Sequence, residues 1–288
     1  MHGRSWFRNI SLIVGFSFLY IPIVSLIVYS FNASKLVTVW GGFSTKWYGA
    51  LLQNQQILGA AWLSLRVAAL SATLAVALGT LAGMVLARFG PFKGRTLFSG
   101  LTTAPLVMPE VITGLSLLLL FVTMEQLIGW PAGRGMTTIV IAHVTFTMAF
   151  VTVIVQSRLV QMDESLEEAA MDLGARPWKV FFLITLPIIF PALLSGWLLA
   201  FTLSLDDLVI TSFVAGPGSS TLPMVIFSKV RLGVSPDINA LATILVTIVA
   251  IGVAIAGVVM TRQQKARDRD AQMALAANQQ MIDSLKKG

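Results

Sequence analysis

The 288-residue chain contains no cysteine, which excludes disulfides, thiolate metal sites and a thiol nucleophile. Histidine is almost as scarce, with His2 and His143 alone, so no imidazole cluster can build a metal centre. Charge is also short. Only 11% of residues are charged, against roughly 25% in an ordinary soluble domain. No G-x-x-x-x-G-K-[ST] loop occurs, so the common phosphate cradle of nucleotide hydrolases is missing and the chain is not expected to hydrolyse ATP itself. Apolar residues make up 56% of the chain. That composition indicates an all-α integral membrane protein, since lipid tolerates no unpaired backbone.

Six apolar runs are long enough to cross a bilayer at about 20 residues each: residues 10–29, 60–86, 100–124, 136–155, 181–205 and 238–260. They leave no room for a separate catalytic domain. Residues 1–261 read as one membrane domain and 262–288 as a polar cytoplasmic tail. Fourteen of the twenty Lys and Arg lie in the two tails and the connections after spans two and four, and six lie on the other side. The positive-inside rule therefore predicts that both termini are cytoplasmic. The first run exceeds the roughly 7 to 15 apolar residues of a secretory signal and is expected to stay as an anchor. These loops account for the net charge of +7 without a nucleic-acid partner.

Ionisable side chains inside spans are costly and mark pathways or partners. The deep ones here are acidic, with no Lys or Arg comparably deep. Glu110 follows Pro105 and Pro109 about ten residues into span three, roughly mid-bilayer at 1.5 Å per residue. Prolines loosen the helix there and free backbone carbonyls beside the carboxylate, a set of groups able to replace water around an ammonium. The alternative is a protonated packing residue. Asp206 and Asp207 lie either deep in span five or at its outer end facing water, because the apolar stretch runs on to Ala215. The functional reading, against a cap that merely faces water, is a pathway mouth lined with carboxylates. His143 is expected to hydrogen-bond inside the bundle, and Gly79 with Gly83 to permit close helix approach. Trp40, Trp47, Trp130 and Tyr48 suit the interfacial belt, and Ser235-Pro236-Asp237 reads as a cap before span six.

Between spans four and five, the stretch ESLEEAAMDLGARPWKVFFLITLP (164–187) concentrates charge. Ser165 and Glu168 have the spacing of a capping box. Leu166, Ala169, Ala170 and Leu173 share a small apolar face, with Glu167, Glu168 and Asp172 opposite. Gly174 suits a left-handed helix end and Pro177 a new helix start, predicting helix, turn, helix. A helix resting on lipid headgroups is one reading. Its polar face is acidic beside an anionic leaflet, however, which favours a protein partner.

Glu168-Ala169-Ala170, three residues, Gly174, nine residues, then Ile184-Thr185-Leu186-Pro187 resembles the EAA signature of permease subunits of ATP-binding-cassette importers. The resemblance extends along nearly the whole chain, through SFNASKLVTVWGGFSTKWYGALL, TAPLVMPEVITGLSLLLLF and LAFTLSLDDLVITSFVAGPGSSTLPMVIFSKV. It is strongest to the polyamine branch, its putrescine-type permeases in particular. It implies a type I importer permease fold of about six transmembrane helices, with a coupling helix at about 164–174. Glu168, Ala169, Ala170, Gly174, Leu186 and Pro187 are then the coupling set, and Glu110, Asp206 and Asp207 the pathway candidates. The implied partners are a second permease forming a heterodimer, two cytoplasmic ATPase subunits that bind ATP and Mg, and a periplasmic polyamine-binding protein. The implied location is the bacterial inner membrane, and the chain itself needs no cofactor or metal. Other readings remain: import of spermidine or another small solute, an ion-coupled secondary transporter, or an intramembrane acid hydrolase. No internal repeat supports the secondary transporter. Adjacent aspartates, about 100° apart on a helix, suit the hydrolase poorly.

Overall fold

Long apolar segments satisfy their own backbone as helices. The computed structural model describes residues 3–36, 39–233 and 236–252, together with positions 254, 258, 261 and 262. The chain runs α1 (Gly3–Ser30), α2 (Lys46–Gln53), α3 (Gln55–Arg88), α4 (Arg95–Thr103), a 3-10 turn (Ala104–Leu106), α5 (Glu110–Ile128) and α6 (Met136–Val160). Then come α7 (Ser165–Asp172), α8 (Pro177–Val180), a π-helical turn (Phe181–Thr185), α9 (Leu186–Asp206), α10 (Val209–Val214) and α11 (Leu222–Leu232). A shorter apolar helix, α12 (Pro236–Gly252), ends the continuously described part. Among the described residues, five helical stretches are long and apolar enough to cross a membrane: Trp6–Ser30, Gln55–Arg88, Glu110–Ile128, Met136–Val160 and Pro177–Asp206. His2, Ser235, most of the expected sixth span beyond 252 and the tail from 263 onward lie outside the described residues.

The chain divides into two compact units, residues 1–53 with 234–288 and residues 54–233. In the first, the loop after α1 is organised by buried Asn32. Its amide donates to the carbonyls of Leu36 and Val39, and its Oδ1 accepts from the amides of Ser34 and Gly41. A buried amide with all of these bonds made fixes the loop instead of straining it.

The second unit is built on α3, α6 and α9. Val151, Val155, Leu159 and Ile189 are fully buried where the three meet. Small residues on α3 set the spacing. A Cβ on Gly79 would stand 2.8 Å from Val151 Cβ, and one on Gly83 3.2 Å from the Thr152 carbonyl. The glycine pair therefore brings α3 onto α6 as its spacing predicts, and such close contact carries helix association in lipid, where apolar surface alone gives no drive. Arg66, one of the six outer basic residues, is the twelfth residue of α3 and not part of a connection.

Two spans differ from their sequence outlines. The single run expected over 100–124 is two helices, because Pro105 and Pro109 lack amides and Pro109 takes extended geometry (ψ 134°) just before Glu110. The crossing begins afresh at Glu110. Span five is likewise divided: α9 ends at Asp206, Asp207 is extended, and α10 continues. At its other end Pro187 stands in the first turn of α9, directly after the π-helical turn. The wider turn accommodates the bond that a proline cannot make.

Candidate functional site

Glu110, Phe146, Leu203, Asp206, Asp207, Leu208 and Val209 line a cavity of ≈ 280 Å³. Three elements position it: α5 starts there with Glu110, α9 ends there with Asp206, and α6 supplies Phe146, the eleventh of its 25 residues. The cavity is thus near the middle of α6, well inside the bundle. Beyond the aspartates α10 continues to Val214, whose carbonyl accepts from Thr138 Oγ1 in the first turn of α6 at 2.7 Å. The aspartates are therefore deep, about one short helix in from the end of α6. α10 is seated on α5 at Gly114, where a Cβ would stand 2.6 Å from the Phe213 ring.

The three acids are not equivalent. Glu110 and Asp206 are exposed to the cavity, and neither has an ion-pair partner among the described residues. Asp207 is 95% shielded, with its oxygens committed: Oδ2 lies 3.2 Å from His143 Nε2 and accepts from Thr211 Oγ1 (2.6 Å) and the Thr211 amide (2.7 Å). Its Oδ1 accepts from the Ile210 amide at 3.2 Å. His143 Nδ1 meets Ser204 Oγ at 2.6 Å. Asp207 therefore starts α10 and latches it to α6. Expected as a pathway candidate, it lines the cavity while its oxygens are held by two amides, the Thr211 hydroxyl and His143. His143 hydrogen-bonds within the bundle, as expected. Its link to a residue 64 positions later has no sequence signal.

Removing Asp207 should be costly. Asp207→Ala leaves the Ile210 and Thr211 amides without their acceptor, at about 1–3 kcal/mol for each buried donor left unpaired, while His143 Nε2 keeps Thr211 Oγ1 at 2.9 Å. Thermal denaturation of the detergent-solubilised protein should show a clear loss for Asp207→Ala and almost none for Asp206→Ala, whose exposed side chain supports no bond network.

The second site is α7. It ends as predicted: Gly174 adopts φ +84°, its amide donates to the Met171 carbonyl (2.8 Å), and the Ala175 amide donates to Ala170 (3.1 Å). This crossed pair of bonds closes the helix C-terminus, and glycine alone takes that backbone without cost. The helix start differs. Ser165 and Glu168 form no capping box; Asp163 Oδ1 accepts the Ser165 amide at 3.0 Å. A carboxylate is the stronger acceptor at a helix N-terminus, and this amide holds the Asp163 carboxyl below its usual range.

The acidic face also divides. Glu168 and Asp172 are exposed, whereas Glu167 turns inward. Arg88 Nη1 lies 2.8 Å from Glu164 Oε1, and its Nε 3.0 Å from Glu167 Oε2 as an ion pair without hydrogen-bond alignment. Glu167 Oε1 accepts from Thr185 Oγ1 at 2.5 Å. Leu166, Ala169 and Leu173 are exposed, Leu173 at 89%, and Ala170 is half-buried. Of the other two coupling candidates, Leu186 packs on the α3–α6–α9 core and Pro187 is exposed at the start of α9. Thr185, inside the 184–187 end of the signature stretch, and Arg88, which no local motif announces, complete this constellation.

The family model described as binding-protein-dependent transport system inner membrane component matches residues 79–271, which contain both sites. The putrescine transport system permease protein PotI of Escherichia coli is 61% identical over 271 residues, covering 94% of this chain and 96% of its own. The spermidine/putrescine transport system permease protein PotC of the same organism is 43% identical, over 81% of this chain and 86% of that one. Among solved structures, a bacterial ABC transporter that imports the acidic polysaccharide alginate aligns over 90% of this chain and 97% of its own, with a TM-score of 0.69 at 16% identity. The inward-facing MetNI methionine ABC transporter aligns over 76% and 98%, with a TM-score of 0.58 at 16% identity. The broken spans and the capped helix between spans four and five therefore sit in the type I ABC importer permease fold, and the chain belongs to the inner membrane components of binding-protein-dependent transport systems.

Proposed function

We propose that this chain is one membrane-spanning subunit of an ABC importer for polyamines, putrescine foremost, and that the Glu110–Asp206 cavity lies on the path. The observation that carries the reading is a pair of carboxylates from two helices facing one cavity with no ion-pair partner among the described residues. An unpaired acid deep in a bundle is expensive unless a cation visits it. A diamine has an ammonium at each end of an apolar linker, and Phe146 and Leu203 supply apolar surface beside the acids. The 61% identical relative is named for putrescine transport.

The remaining parts follow from the same reading. A second permease completes the path, a periplasmic binding protein delivers the amine, and two cytoplasmic ATPase subunits bind ATP and Mg. The chain supplies no ATPase site of its own. With both termini cytoplasmic, α7 also faces the cytoplasm and presents Leu166, Glu168, Ala169 and Leu173 to an ATPase subunit. ATP-driven closure of the ATPase pair moves α7, and the bundle alternates between outward and inward opening.

The test is ATP hydrolysis by the assembled complex in lipid nanodiscs, with its binding protein supplied empty or loaded with putrescine, spermidine or an uncharged diol of matching length. Putrescine-loaded protein should stimulate hydrolysis most and the diol not at all. Equal rates with every addition would overturn the polyamine reading.

A further inference from the structure

Arg88 joins three elements at one point. It is the last residue of α3, and its guanidinium engages Glu164 and Glu167 around α7. Glu167 in turn holds Thr185 in the π-helical turn before α9. The Arg88 and Glu167 side chains are 14% and 16% exposed, so water screens this pair far less than a surface ion pair. Arg88 is not needed to finish α3, because Arg95 donates to the free carbonyls of Leu86 and Gly90 at that end. Nor is the contact shared by the outer face of α7, where Leu166, Ala169 and Leu173 stand exposed. One side of the helix faces outward while the other is bound to two bundle helices.

α3 is also the longest helix among the described residues, about 51 Å at 1.5 Å per residue. Toward its other end Ser64 Oγ accepts the Leu222 amide at 2.8 Å, attaching the start of α11. The π-helical turn lies where Glu167 attaches to the α9 rod, and such turns often mark places where a helix is built to yield. A displacement of α7 therefore enters the bundle along two routes, directly into α3 through Arg88 and into α9 through Glu167 and Thr185.

We propose that Arg88, clasped by Glu164 and Glu167, is the positioning residue that transmits movement of α7 to α3 and α9. This rests on the reading of α7 as the ATPase-docking helix. Arg88 does not itself touch the ATPase in this account. Its loss should spare docking and break the link between hydrolysis and movement.

The experiment compares Arg88→Glu, Glu167→Arg and the double exchange in the assembled complex reconstituted in proteoliposomes, reading amine taken up per ATP hydrolysed. Each single exchange should lower that ratio about tenfold while the ATPase subunit still co-purifies, and the double exchange should recover most of it. Unchanged ratios in the single variants, a double exchange no better than either, or loss of the ATPase along with the ratio would each overturn the proposal. Should a charge reversal fail to fold, Arg88→Cys with Glu167→Cys provides the second arm in a chain that has no other thiol. Bridging the two with a short bifunctional thiosulfonate should restore coupling, and no recovery on bridging counts against the tie. The docking reading is checked apart by Ala169→Arg on the exposed face, which should release the ATPase. Retention there would sink that reading by a measurement that does not involve Arg88.

Discussion

Gly174→Val should leave the chain inserted in the membrane yet cut amine uptake roughly 5- to 30-fold, the span that a change of one or two kcal/mol produces in a two-state balance. The cause is backbone, not crowding. At φ +84° a Cβ at position 174 meets no atom within 4 Å, so the first side-chain atom enters open space. An L-residue in the left-handed region still costs about 1–2 kcal/mol, and a β-branched one is a true outlier there. α7 has only eight residues, too few to hold its last turn against that cost by helix propensity alone. The expected response is an unwound C-terminal turn, loss of the Gly174 and Ala175 bonds, and a displaced Leu173. Asparagine tolerates the left-handed region best among side-chain-bearing residues, so Gly174→Asn should retain more uptake than Gly174→Ala, and alanine more than valine. Uptake in Gly174→Val equal to that of the unmodified protein would show that the helix end has no part in coupling.

The second large effect is expected at Glu110. Glu110→Gln keeps the size and hydrogen-bonding reach of the side chain and removes its charge. A hydrogen bond to a charged group is worth about 1.5–3 kcal/mol, so uptake of a diamine should fall about 10- to 100-fold. Glu110→Asp should lie between, because the charge remains on a shorter arm. Stimulated ATP hydrolysis measured in parallel separates a lost path from a lost complex: with Glu110→Gln the complex should still assemble and bind its loaded binding protein. Full uptake by Glu110→Gln would remove Glu110 from the path.

The membrane character, the approximate spans and the close approach at Gly79 and Gly83 were legible because lipid imposes strong composition and spacing rules. So was the end of α7, where a single glycine must supply one backbone conformation. What could not be read lies in pairings across long separations. Asp206 and Asp207 look alike in sequence, yet only Asp207 turns toward His143, since α9 ends at Asp206 and the extended backbone of Asp207 carries its side chain to the start of α10. Glu167 belongs by periodicity to a polar outer face, but Arg88, 79 positions earlier, draws it inward. The Ser165 and Glu168 spacing made no cap because Ser165 is already inside α7, and its amide goes to the Asp163 carboxylate two residues earlier. Prolines announced a weakness in span three. Whether it becomes a kink or a full interruption depends on neighbours able to take up the freed backbone groups, and those are set by the fold.

The adjacency of Asp206 and Asp207 also bears on how such a protein can diversify. Both line the cavity, but one aspartate is exposed there and holds nothing in place, while its neighbour holds α10 to α6. On the path proposed above, changes at the first would retune which cargo is accepted with little penalty to the architecture, while the second stays fixed as an anchor. Separating these duties onto consecutive residues would let selectivity drift within an unchanging frame, through single substitutions that never pass through an unstable intermediate.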